Sequence, residues 1–338
     1  MSANLKSEIA AAQKARARYG RFFSKERLCQ MAGLSNLQEL AASIRENSFY
    51  ADGFGNLSDA AINRESLEII LKERLYTDLA ELFGFDFALG SKLYRLSIID
   101  CEKELVMSFA RLLNAGKSEF FRPSLPDFLE RHLDIDLSAL RAAKDFDDLL
   151  GCIKKRDMIL MVSLCRPAEG QPIDLSLMEF LFEDYFCKKV VEISDGDEKI
   201  VEIFGIKADF LNLQMILRQK TYFDATPGEI KSRLLSIHGI FKKKALEQLC
   251  EGKAEDVNSF IEQSKYSEYF KNSISADIAA GRAVRDICRK TMRFDTSPSS
   301  VLSAYMLLAN NQYDCLTTLV EGVRYSLGSE KITELLPV

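Results

Sequence analysis

Apolar residues recur at i, i+3 and i+4 spacing over most of this chain, the mark of helices that turn one face to a core. The pattern predicts helices over 2–18, 36–47, 66–83, 91–113, 175–189, 227–250 and 298–327. Pro227 and Pro298 stand at helix starts, where a missing N–H costs nothing, with Thr226 and Ser297 before them as N-caps. Strong breakers are few and fall at 122–126, 166–172, 225–228 and 296–298. One segment departs from the helical pattern. Over 190–204 apolar and polar residues alternate around Asp195-Gly196, and local rules read it as a β-hairpin, which needs a packing partner to be stable.

The stretch 208–220 is apolar on two faces. Phe210, Leu213, Ile216, Leu217 and the stem of Lys220 share one; Leu211 and Met215 lie on the other beside Arg218. Such a helix packs between neighbours, so Asp209, Asn212 and Arg218 require polar partners. Arg218 is expected to be paired inside this packing or to line a polar wall. A faint repeat of roughly a hundred residues surrounds this helix, well above solenoid periods. Its copies end in long helices at 100–117, 209–220 and 305–322, with Pro123 and Pro227 closing the first two. Glu104-Leu105 echoes Asn212-Leu213 in the first copy, and Cys315-Leu316 stands at that position in the third.

At 338 residues the chain has room for two or three domains, and 47% hydrophobic with 28% charged residues is ordinary for a folded protein. A net charge of −5 argues against a nucleic-acid partner, and Lys242-Lys243-Lys244 reads as a solvated helix face. Eight scattered cysteines without a Cys-x-x-Cys pair read as free buried thiols in a reducing cytoplasm. The first residues lack the apolar core of a signal peptide. The longest apolar run, 158–165, falls far short of the ~20 residues that span a bilayer, so no direct membrane insertion is expected.

Catalytic chemistry is hard to find. Gly116-Lys117-Ser118 resembles the end of a phosphate-binding loop, but Arg111 occupies the place of the required upstream glycine, and the tripeptide follows a helix. It reads instead as a helix C-terminus closed by Gly116. His132 and His238 have no partners at metal-ligand spacing, Gly53-Phe54-Gly55 reads as a loop, and no Gly-x-Ser-x-Gly elbow is present. No catalytic residue, cofactor site or metal set is expected.

Three regions carry a family resemblance. Ala15-Arg16-Ala17-Arg18, followed by a helical 25–32 and by 36–50, resembles an opening Ala-Arg-x-Arg and its Leu-rich sequel. Asp209, Asn212, Leu213, Leu217 and Arg218 match a central Asp-x-x-Asn-Leu-x-x-x-Leu-Arg motif. The helix from Tyr305 through Leu316 and Gly322 resembles a final long helix, although Ala309-Asn310-Asn311-Gln312 and Asp314-Cys315 replace its usual charged residues. The family that the chain resembles is that of the C-type stalk subunits (d-type in eukaryotes) of the V/A-type rotary ATPases, of which this would be a divergent member. The resemblance implies an all-α fold of three pseudo-threefold-related bundles forming a funnel, here 1–121, 122–222 and 223–338, with two helices joined by a loop at 190–204. It implies a non-catalytic central-stalk adaptor that couples the rotor shaft of the catalytic head to the membrane proteolipid ring for ion transport. Its partners would be the central-shaft subunits and that ring, with no cofactor and no nucleic acid, in the cytoplasm and peripheral to the membrane. Arg16, Arg18, Asp209, Asn212, Arg218 and Tyr305 are the candidate motif or rotor-contact residues. The other readings are an unrelated all-helical scaffold or regulatory adaptor, and an enzyme whose site converges only in space. A solenoid scaffold would show a period of about 30 to 50 residues, which this sequence lacks.

Overall fold

The computed structural model describes residues 3–55, 57, 61–84, 88–123, 125–223 and 225–338. Helices carry the architecture. In chain order they are α1 (Ala3–Tyr19), α2 (Lys25–Met31), α3 (Leu37–Arg45), α4 (Ala51–Phe54), α5 (Arg64–Phe83), α6 (Ala88–Asn114), α7 (Asp127–Glu130), α8 (Leu137–Ala142), α9 (Phe146–Gly151) and α10 (Arg156–Ser163). There follow α11 (Leu175–Ser194), α12 (Glu198–Tyr222), α13 (Pro227–Ser232), α14 (Lys243–Glu251), α15 (Ala254–Gln263), α16 (Ser267–Lys271), α17 (Ala276–Phe294), α18 (Pro298–Arg324) and α19 (Ser329–Leu335). Among the described residues there is no strand, and the β pairing is a lone antiparallel bridge between Ile135 and Ile153.

The chain divides into two compact units, 1–93 with 190–338, and 94–189, and it passes between them within α6 and α11. In the first unit α18 is the central rod, packed against α17, α1, α5 and α12. It is buried on almost every side, from Val301 and Tyr305 through Leu316 to Val323, as a helix apolar all round must be. Small residues allow the closest approach: α1 buries Ala11, Ala12 and Ala15, and α18 buries Ser300, Ser303 and Ala304. In the second unit the short helices α7 to α10 close over Leu129, Leu140, Leu149, Met158 and Phe182.

Local signals set most helix ends. Thr226 and Glu229 form a reciprocal capping box ahead of Pro227, and Asn36, Asn63 and Ser275 cap α3, α5 and α17. Ser297 occupies the N-cap of α18 but makes no side-chain cap bond; its hydroxyl meets Ser299 instead. Gly116 adopts a left-handed φ of 65°, and Lys117 N–H returns to Leu112 carbonyl at 2.8 Å, which closes α6. Gly53-Phe54-Gly55 is not a plain loop: its first two residues complete α4, and Gly55 turns out of it at a φ of 45°.

Two expectations change. The 190–204 segment is helix, loop and helix, not a hairpin: Asp195 and Gly196 take φ of 49° and 87° and separate α11 from α12. Ile200, Ile203 and Phe204 then fall on one buried helical face. The 227–250 helix is broken into α13 and α14 by an irregular strap over 233–242. The strap lies against α12 with glycine on glycine. A Cβ on Gly205 would sit 2.3 Å from the His238 carbonyl, and one on Gly239 would sit 2.9 Å from Gly205 backbone.

Candidate functional site: buried polar nodes on the long helices

The central motif explains the strap. Asp209 is fully buried on α12. Its carboxylate accepts the N–H groups of Gly239 at 3.0 Å, Ile240 at 2.7 Å and Phe241 at 3.3 Å, and the Tyr266 hydroxyl at 3.1 Å. One turn on, Asn212 Oδ1 accepts Leu235 N–H at 2.9 Å, while its Nδ2 has no partner among the described residues. Five N–H and O–H groups that burial would otherwise strand are thereby satisfied. Burial nonetheless outweighs these hydrogen bonds and pushes the Asp209 carboxyl up to about 6. The same carboxylate and burial push the Tyr266 hydroxyl far above its ordinary range.

Arg218 is not part of this node. It is exposed, with its guanidinium 5.7 Å from the Phe223 ring centre, on the same helix end as the exposed Tyr222. The expected internal pairing fails because the Leu211–Met215 face of α12 is only partly covered.

A second node joins two residues that the sequence had separated by most of its length. Asp78 on α5, 1% exposed, receives the Tyr305 hydroxyl from α18 and the Arg18 guanidinium from α1 at 2.7 Å. Arg74, one turn earlier on α5, lies 3.4 Å away and stacks over Phe49. Burial raises the Asp78 carboxyl against the opposing pull of Tyr305 and the two guanidiniums. Arg16 faces elsewhere. It donates to the Met292 and Asp295 carbonyls and so caps the C-terminus of α17. Arg16 and Arg18 thus tie the opening helix to α17 and α5.

The third node lies in the other unit. Glu102 on α6 is fully buried, and it accepts Asp134 N–H at 2.5 Å and Arg95 Nη2 at 2.9 Å. Arg95 also pairs with Asp134, which Lys155 reaches at 2.8 Å. Burial again raises the carboxyl, opposed chiefly by Arg95.

Glu102 and Asp209 make the same gesture. Each reaches from a long helix to backbone N–H groups, at separations of 32 residues for Glu102 and 30 to 32 for Asp209. On α18 the matching gesture is reversed in polarity: Asn311 donates to the Pro337 carbonyl at 3.0 Å, 26 residues on. The Glu104-Leu105 echo pointed to the right helix but missed the buried acid. Glu102, Asp78 and Asn311 escaped notice in the sequence. A usable signal was there for Asp78, which continues the apolar row of Leu71 and Leu75 at helical spacing.

The cavity beside Asp78, lined by Phe22, Phe49, Tyr50, Leu71 and Leu316 among others, has room for about one water. Among the described residues no group of three His, Cys, Asp or Glu is placed to hold a metal ion. His132 is exposed with its ring edge-on to Tyr94, and His238 lies in the strap. What the nodes can do is mechanical: each welds a long helix to another helix or to the segment that follows it.

No curated protein matches this chain. A family model does, and it extends over residues 13–335, from the opening Arg16 and Arg18 through the Asp209 strap to α19. With a match of that length over an all-helical protein, the chain belongs to the ATP synthase (C/AC39) subunit family, whose members are structural parts of V/A-type ATP synthases.

Proposed function

We propose that this chain is the non-catalytic central-stalk adaptor of a V/A-type ATPase, coupling the shaft of the catalytic head to the membrane proteolipid ring. The observation that carries the reading is the family match over 13–335, which takes in every node described above. The nodes support it physically. An element that transmits torque gains from long helices whose relative positions are pinned by buried, directional contacts rather than by apolar packing alone. We propose further that three bundles, 1–121, 122–222 and 223–338, are related by a pseudo-threefold axis and form a funnel. The recurrence of a backbone-gripping polar residue on α6, α12 and α18 supports that division.

Within this reading Arg16, Arg18, Asp209, Asn212 and Tyr305 act inside the protein, and Arg218 is the motif residue free to meet the central shaft or the ring. Peripheral association fits a chain in which no described helix is long and apolar enough to cross a membrane. Affinity purification of the tagged chain in mild detergent is the test. Head and ring subunits are expected to come with it, and Arg218→Ala is expected to weaken that recovery without lowering the melting temperature. Isolation of the chain alone from membranes that contain an intact rotary ATPase would refute the adaptor role.

A further inference from the structure

We propose that the seat of residues 329–338, built by α2, α17 and α18, is a peptide-binding groove. The chain's own segment fills it at rest, and a segment of another polypeptide, a short helix followed by Leu-Pro-aliphatic, replaces it. Two helical glycines form the floor. A Cβ on Gly322 of α18 would lie 2.7 Å from Ile332, and one on Gly281 of α17 would lie 2.5 Å from the Pro337 ring. The polar wall reads main chain. Arg282 on α17 donates to the carbonyls of Glu334 at 3.2 Å and Leu336 at 3.3 Å. Asn311 on α18 donates to that of Pro337 at 3.0 Å, and Lys25 on α2 to the Val338 main-chain oxygen at 3.3 Å. Arg282 is held in place from outside the segment, by the Asn272 carbonyl and the Ser273 hydroxyl.

These contacts define the ligand. Ile332, Leu336 and Val338 are the buried anchors, in one apolar cluster with Leu28 and Met31 of α2 and Leu316 of α18. Glu330, Lys331 and Glu334 are exposed, so the groove fixes the anchor positions and leaves those between them free. A proline over Gly281 has no N–H to strand, and it keeps the preceding residue extended, as Leu336 is at φ −70° and ψ 129°. The segment is also hinged for exchange. Arg324, Tyr325, Ser326 and Gly328, which join it to the end of α18, are exposed. Ser326 takes a left-handed φ of 52°, disfavoured for a residue with a Cβ. Departure of the segment lets that residue relax. It leaves three apolar seats and three side-chain donors, which a like peptide satisfies.

Fluorescence anisotropy of a labelled peptide of residues 329–338, titrated with the full chain, tests the site. Leu336→Ser loosens the resident segment without touching the floor. That variant is expected to bind the peptide saturably and about tenfold or more tighter than the wild type, in which the resident segment competes. Val338→Ser serves if Leu336→Ser does not fold. Gly281→Ala, added to the loosened chain, puts a methyl group where Pro337 sits; its nearest other neighbour is Asn311 Nδ2 at 3.5 Å, and alanine favours the helix. It should weaken peptide binding about tenfold. Equal binding by wild type and loosened chain, or binding indifferent to Gly281→Ala, would overturn the proposal. So would the absence of saturable binding by a folded variant, or the failure of both loosened chains to fold, which would make the segment core rather than ligand.

Discussion

Asp209 and Glu102 are both fully buried acids that grip backbone about thirty residues away, yet they are compensated in opposite ways. Asp209 is held by three backbone N–H groups and a tyrosine hydroxyl, with no cation at ion-pair distance among the described residues. Glu102 is held by one backbone N–H and the Arg95 guanidinium, which is itself shared with Asp134. The first is a node of dipoles and the second a node of charges. Dipoles fixed in a strap cost no further reorganisation and leave no dangling charge when one is lost. A buried ion pair is unforgiving, because removal of either partner strands the other.

That contrast predicts the largest effect at Arg95. Arg95→Met should cost about 3–5 kcal/mol in urea unfolding, because Glu102 is left charged in a site with no exposure. A loss below about 1 kcal/mol would show that the acid is already neutral in the native protein.

The pH dependence comes next. The Asp209 carboxyl is raised to about 6 in the folded chain from 3.8 as its ordinary value. Between those values the native state keeps a proton that the unfolded state releases, so stability falls as pH rises through the window and is flat above it. The full span corresponds to about 3 kcal/mol. Glu102 and Asp78 are raised too and share the sign. The Asp209 part is therefore the difference between wild type and Asp209→Asn in melting temperature measured from pH 4 to pH 7. Identical slopes would remove the buried-carboxylate account of that node.

Strap packing ranks third. Gly205→Ala would drive a Cβ into the His238 carbonyl and should cost about 2–3 kcal/mol, at the upper end of overpacking effects. Gly151→Ala in the other unit meets nothing within 4 Å and should be neutral or slightly stabilising. Thermal melts of the two variants make the comparison direct. The smallest effect belongs to Tyr266→Phe, which removes one of four donors from Asp209 and should cost about 1 kcal/mol. A cost as large as that of Arg95→Met would mean that the dipole node is as brittle as the ionic one.

The same contrast explains what could be read in advance. The strap was invisible because 227–250 keeps helical apolar spacing through the break; Ile230, Ile237, Phe241 and Leu246 are all buried. Gly239 was the local hint, but it needed Gly205 opposite before it meant anything. At 190–204 the Asp195-Gly196 signal was right about backbone and wrong about context. Two consecutive left-handed residues serve a hairpin turn, but they also end a helix, and only the flanking packing chooses. The glycine at 116 had no such competitor, and it ends its helix as its local sequence implies.

By itself the sequence determined that the protein is helical, where α1, α5, α6 and α18 run to within a few residues, and that Asp209 and Asn212 required polar partners. These follow from residue periodicity and from the cost of an unpaired buried polar group, both of which are local. Only the tertiary structure decided which partners they took, that Arg18 and Tyr305 converge on Asp78, and that Arg218 faces outward. Those facts depend on contacts between residues tens to hundreds of positions apart, and spacing along the chain carries no information about which distant groups meet.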